Sequence, residues 1–154
     1  MELILWRHAE AEEANGDSND AGRALTAKGK KHARKIAKWL EKRIEGKPRV
    51  VASPAMRTCQ TAEAYTKNFE TLEALSVGAK ARAMLAAIGW PDASGSVLIV
   101  GHQPTLGRVA ALLLTGKEAD WDIKKGSVWW LTSRAAPDGA IEVTLRAVMA
   151  PNQV

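Results

Sequence analysis

A single cysteine, Cys59, stands in the 154 residues. It rules out an internal disulfide and fits a reducing compartment. No apolar run approaches the roughly 18 residues of a membrane-spanning helix, so no membrane partner is expected. The opening "MELILWRHAE" is too short and wrongly charged for a secretion signal, and a cytoplasmic protein is expected. Three histidines and one cysteine show none of the paired spacings that hold zinc, so neither metal nor cofactor is expected. Internal repeats, linkers and low-complexity tracts are also missing. These absences leave an ordinary globular chain.

What is present agrees. At 154 residues, with 46% hydrophobic and 25% charged residues, the chain is long enough for one domain with a substantial core and short for two. Residues 1–154 are therefore read as one domain. The formal charge, 22 basic against 17 acidic residues, is +5. Much of the basic density lies in "KGKKHARKIAKWLEKR", which also reads as a helix with a solvated face. No aromatic-basic interleaving accompanies it, so no nucleic-acid partner is expected, while acidic substrates remain compatible.

The apolar run Leu3 to Trp6 has the length and content of a buried parallel strand. Residues 9–24 are polar and rich in turn formers, a loop. Thr26 reads as an N-cap. Behind it Ala33, Ile36, Ala37, Leu40 and Ile44 repeat at helical spacing, with Gly46 and Pro48 ending that helix. "RVVASP" is a short strand, followed by a helix from about Ala55 through "MRTCQTAEAYTKN". A helix over Ala79 to Ile88 and a loop at "GWPDASG" follow. "SVLIVGHQP" is the cleanest signal: a buried strand over Val97 to Val100, a tight glycine, His102, and Pro104 where a helix can begin. After the helix "TLGRVAALLLTG", two strands, "SVWWLTS" and "IEVTLRAVM", are joined by the turn "APDG". Strands alternating with helices, then two closing strands, predict a three-layer α/β/α domain whose mostly parallel sheet has an antiparallel edge.

Ligands in such sheets sit beyond the carboxyl ends of the strands. Arg7 and His8 follow the first strand. Ser53, Pro54 and, one helical turn on, Arg57 follow the second. Gly101, His102 and a helix N-terminus follow the third. Together these describe a small anion pocket. Guanidinium groups hold a phosphoryl group bidentately, and a helix N-terminus adds donors and partial positive charge. Nearby cations keep an imidazole neutral and free to act as a nucleophile, provided its other nitrogen donates to something such as a backbone carbonyl.

The segments "LILWRHAEA", "RALTAKG", "VVASPAMRTCQTA" and "VLIVGHQPTLG", in this order, resemble the motifs of the histidine phosphatase (phosphoglycerate mutase-like) superfamily. The short chain resembles its SixA-like phosphohistidine phosphatase branch, over residues 3 to about 116. The resemblance implies a metal-independent phosphohydrolase in which His8 is the phosphorylated nucleophile. Arg7 and Arg57 would bind the phosphoryl group, and His102 would complete the pocket and steady the transition state. Ala9 stands where the familiar motif has glycine, a harmless change between small residues. Larger members carry a long cap insertion that supplies an acidic proton donor, and the interval Pro54 to Gly101 has no room for one. Of Glu63, Glu70, Glu73 and Asp92, Glu73 is the favoured acid. A phosphoramidate has a weak P–N bond and a nitrogen that water can protonate, so a strong protein acid is not demanded.

Three functions are weighed. The first is hydrolysis of phosphohistidine on a protein partner such as a histidine phosphotransfer domain. The second is hydrolysis of small phosphomonoesters at the same site. The third is a phosphate-binding regulatory module without turnover, which the full set of four core residues argues against. Structural readings stand beside these. Arg57 could pair with Glu63 or Asp20, and Arg23 with a loop acid or the phosphate rim. Ser53 reads as a hydrogen-bonding residue, not a nucleophile. His32 reads as surface, Cys59 as a buried small residue, and Trp129-Trp130 as one ring on each sheet face.

Overall fold

The computed structural model describes residues 1–14 and 19–154; the part of the expected loop at 15–18 lies outside them. Six strands form one sheet in the order β3-β2-β4-β1-β5-β6: β1 (Glu2–Arg7), β2 (Arg49–Ala52), β3 (Glu70–Thr71), β4 (Ser96–Gly101), β5 (Val128–Ala135) and β6 (Ile141–Met149). The first four are parallel, and β5 runs against both β1 and β6. The antiparallel edge is thus the hairpin β5–β6.

Strand alternation sorts the core into two layers. Ile4, Trp6, Val50, Ala52, Leu98, Val100 and Trp130 pack with Ile36, Ala37 and Leu40 of α1 (Ala27–Glu41) and Ala62 of α2 (Met56–Glu63). Leu3, Leu5, Val51, Val97, Ile99 and Leu131 face the other way. They meet Met84 and Leu85 of α3 (Ala81–Ala87) and Leu106, Val109 and Ala110 of α4 (Thr105–Thr115). Leu3, Ile4, Leu5 and Trp6 are all completely buried, which is why β1 is apolar without a break. Each such side chain contributes about 1.5–3 kcal/mol by leaving water. Trp130 belongs to the first layer and Trp129 to the second, as expected of neighbours on a strand.

Helix ends differ from expectation for local reasons. Thr26 caps α1 by accepting from the Gly29 N–H, but α1 stops at Glu41 instead of near Gly46. The N–H groups of Arg43 and Ile44 both turn back on the Leu40 carbonyl at 2.9 Å, which tightens the last turn and buries Ile44. α2 stops at Glu63, short of "YTKN". There the Thr66 hydroxyl accepts from the Asn68 N–H, a local turn that competes with helix. The two-residue β3 is too short and too exposed to leave a pattern in the sequence. Gly101 is the last residue of β4 and not a turn residue. No helix among the described residues is long and apolar enough to cross a membrane.

Candidate active site

The register of the sheet decides where the histidines lie. β1 and β4 are parallel neighbours with Arg7 opposite Gly101, so His8 and His102 each sit one residue past the last pair. The His8 backbone N–H donates to the Gly101 carbonyl at 3.1 Å, and the two imidazole centroids are 5.4 Å apart with planes inclined by 58°. Ser53 follows β2 on the other side of β4, its N–H donating to the Val100 carbonyl at 3.1 Å. Three strand ends thereby form one rim.

Each ring is oriented through one nitrogen. His8 Nδ1 lies 2.7 Å from the Ala9 carbonyl, which can only accept. Nδ1 therefore carries the proton, and in the neutral ring Nε2 presents a lone pair. His102 Nε2 lies 2.8 Å from Ser53 Oγ, and its Nδ1 faces Arg57 Nη2 at 3.4 Å. Guanidinium only donates, so Nδ1 is the acceptor and Nε2–H donates to Ser53. Burial lowers the pKa of His8 to about 3, against the Ala9 hydrogen bond and with His102, Arg57 and Arg7 adding. Burial and then Arg57 lower His102 to about 4, while Asp20 opposes. Both imidazoles are neutral near pH 7.

Arg57, in the first turn of α2, is 4% exposed. Its Nη1 donates to the Asp20 carbonyl oxygen at 2.8 Å and its Nη2 to Asp20 Oδ2 at 3.0 Å. Of the two carboxylates offered by the sequence, Asp20 is the one that pairs. Its own pKa is held below the usual carboxylate range, chiefly by the hydrogen bond from Arg57. Arg7 donates from Nη1 to the Ile123 carbonyl at 2.9 Å. The Nε–H groups of Arg7 and Arg57 are buried without an acceptor among the described residues. The helix N-terminus after His102 contributes less than expected. The Leu106 N–H is taken by the His102 carbonyl and the Gly107 N–H by Gln103 Oε1.

The sequence pattern of the histidine phosphatase superfamily (branch 1) matches residues 3–76. The protein histidine phosphatase SixA, solved with tungstate, superposes with a TM-score of 0.79 at 26% identity, covering 99% of this chain and 98% of that one. The SixA protein from Nakamurella multipartitia gives a TM-score of 0.77 at 25% identity, over 97% of this chain and 95% of that one. The chain belongs to the histidine phosphatase superfamily. An uncharacterized protein of Picosynechococcus sp. is 31% identical over 88% of this chain and 87% of its own length. The family and its SixA neighbours support phosphatase activity for this chain.

Around the phosphatase site, the segment "RALTAKG" has a clear physical task. Thr26 N–H donates to the Glu10 carbonyl at 3.0 Å, Thr26 Oγ1 donates to Glu10 Oε1 at 2.9 Å, and Leu25 N–H donates to Gln60 Oε1 at 2.7 Å. The loop that carries His8 is thereby tied to α1 and α2. A Cβ on Gly29 would lie 2.0 Å from the Glu10 carbonyl oxygen, so only glycine permits this approach. Sequence reasoning missed Thr61. Its hydroxyl accepts from the Ala9 N–H at 3.1 Å and donates to the Arg57 carbonyl at 2.8 Å, joining the two arms of the site. A threonine inside a helical pattern gives no outward signal of that.

The other candidates fall as follows. Glu73 lies exposed on a short 3-10 turn, Glu73–Leu75, where Ser76 Oγ donates to it at 3.1 Å. Arg23 takes the first of its two alternatives, a loop acid. It pairs with Asp20 at 3.2 Å, and its charge helps lower the His102 pKa. Cys59 is half-buried, not fully buried, and its thiol donates to the Ser53 and Pro54 carbonyls just ahead of α2. His32 is half-exposed on α1.

Proposed function

We propose that residues 1–154 act as one unit, a phosphohistidine phosphatase that works on a phosphorylated protein through a covalent intermediate on His8. The observation that carries this reading is the His8 ring itself: buried, neutral, with Nδ1–H committed to the Ala9 carbonyl and Nε2 left unprotonated with its lone pair free. The Nε2 lone pair attacks phosphorus. The P–N bond to the substrate imidazole breaks, and the leaving nitrogen keeps the bonding pair and takes a proton from water. Water then attacks the phosphorus held on His8, the second P–N bond breaks, and inorganic phosphate leaves with the neutral ring restored.

Arg7 and Arg57 bring two guanidinium groups to that phosphoryl group, and their Nε–H groups, without an acceptor among the described residues, are donors an oxyanion can satisfy. His102, fixed by Ser53, completes the pocket beside His8 and faces Arg57 Nη2 through Nδ1, which helps to position that guanidinium. These donors belong to side chains, so the route calls on no metal ion or cofactor. The test is turnover of a phosphohistidine-bearing phosphotransfer protein against a panel of sugar and nucleotide phosphates. The reading requires the protein substrate to have the highest kcat/KM. Preference for one small phosphomonoester would replace it with the metabolite reading.

A further inference from the structure

A cavity of about 460 Å³ abuts the phosphate pocket and shares two residues with its wall. Ser53 lines the cavity while it holds His102, and Asp20 lines it while it holds Arg57. The part of a substrate that extends beyond the phosphoryl group has this space open to it. Ala55, Glu73, Ser76 and Val77 complete the surface that matters here, and neither lysine nor arginine lines it.

The two carboxylates that line this cavity among the described residues are not equivalent. Asp20 is neutralised by ion pairs to Arg57 and Arg23. Glu73 has the Ser76 hydroxyl and no ion pair among the described residues, so its charge is left to act on whatever enters. Val77, on the cavity wall, is 56% exposed, and Met56, next to the wall residue Ala55, is 43% exposed. Exposed large apolar side chains on and beside this cavity suit a protein surface better than a small, highly charged metabolite.

We infer that this cavity is the leaving-group subsite and that Glu73 is its charge-selecting residue. It favours a neutral imidazole on a polypeptide with basic neighbours and disfavours leaving groups that carry an anion. This rests on the phosphatase reading above and deepens it. The effect is electrostatic and partly solvent-exposed, so it should be modest and should weaken with salt.

Two phosphohistidine peptides test it, identical except for flanking lysines or flanking glutamates. In the wild-type protein the lysine-flanked peptide should have a kcat/KM higher by about three- to tenfold at low ionic strength, with the ratio shrinking as salt is added. Glu73→Gln should compress that ratio toward unity and Glu73→Lys should reverse it. Glu45→Gln, beyond α1 near the opposite end of the sheet, should leave the ratio as it is. A ratio unchanged in both Glu73 variants overturns the assignment. So does a fall in kcat equal for both peptides, which would mark Glu73 as a proton donor. Phosphoenzyme yield on wild-type protein with the lysine-flanked phosphohistidine peptide is read separately by rapid quench. No yield there would sink the phosphoryl-transfer reading, whereas a normal yield with a flat ratio sinks only the role of Glu73.

Discussion

Asp20 holds both terminal nitrogens of Arg57, through its carbonyl oxygen at 2.8 Å and its carboxylate at 3.0 Å. The guanidinium proposed to receive a phosphoryl group is thus already occupied by an internal anion. An incoming oxyanion must share or displace that carboxylate. Asp20→Asn removes the charge and keeps the size, so tungstate should bind several-fold tighter to the variant, measured by calorimetry or by inhibition of turnover. Weaker binding would mean that Asp20 helps to build the oxyanion site and does not compete for it.

The paired histidines make a pH prediction with a definite sign. Their folded values, about 3 and about 4, lie below the 6.5 of a free imidazole. Between those limits the unfolded chain binds more protons than the folded one. The stability they contribute is therefore full above about pH 6.5 and is lost as pH falls toward 4 and then 3. The ring protons of His8 and His102 should keep their neutral-form chemical shifts from about pH 8 to about pH 5 by NMR. Urea denaturation at the two ends of that range should show lower stability at the acidic one. A histidine of this pair titrating near 6.5 would contradict the geometry.

Gly29 lies in the first turn of α1, where alanine would ordinarily gain about 1 kcal/mol of helix propensity. Here the added Cβ would meet the Glu10 carbonyl oxygen at 2.0 Å, and that oxygen also accepts from the Thr26 N–H. The clash decides the sign. Gly29→Ala should lose about 1–3 kcal/mol in chemical denaturation and should lower kcat, because Glu10 is two residues from His8. A wild-type midpoint with normal turnover would show that the loop has slack the packing does not suggest.

How far the site could be read in advance follows from the same packing. His8 and His102 were legible because β1 and β4 are buried on both faces and must be apolar throughout, so a polar pair at the end of such a run stands out. Ser53 was legible as a hydrogen-bonding residue, and the structure supplies its partner, His102. The choice between Glu63 and Asp20 for Arg57 was not legible, since it depends on where a turn-rich loop comes back over the sheet edge. Thr61 was hidden because its meaning comes from Ala9, 52 residues away in the chain. β3 was hidden because two exposed residues carry no period.

The central claim is that His8 takes the phosphoryl group. Rapid quench of the wild-type protein with a 32P-labelled phosphohistidine protein, followed by peptide mapping, measures this directly. The account predicts acid-labile, base-stable label on His8 during turnover, and neither label nor turnover in His8→Ala. Normal turnover by His8→Ala, or label absent from His8 in an actively turning-over wild-type protein, would contradict it.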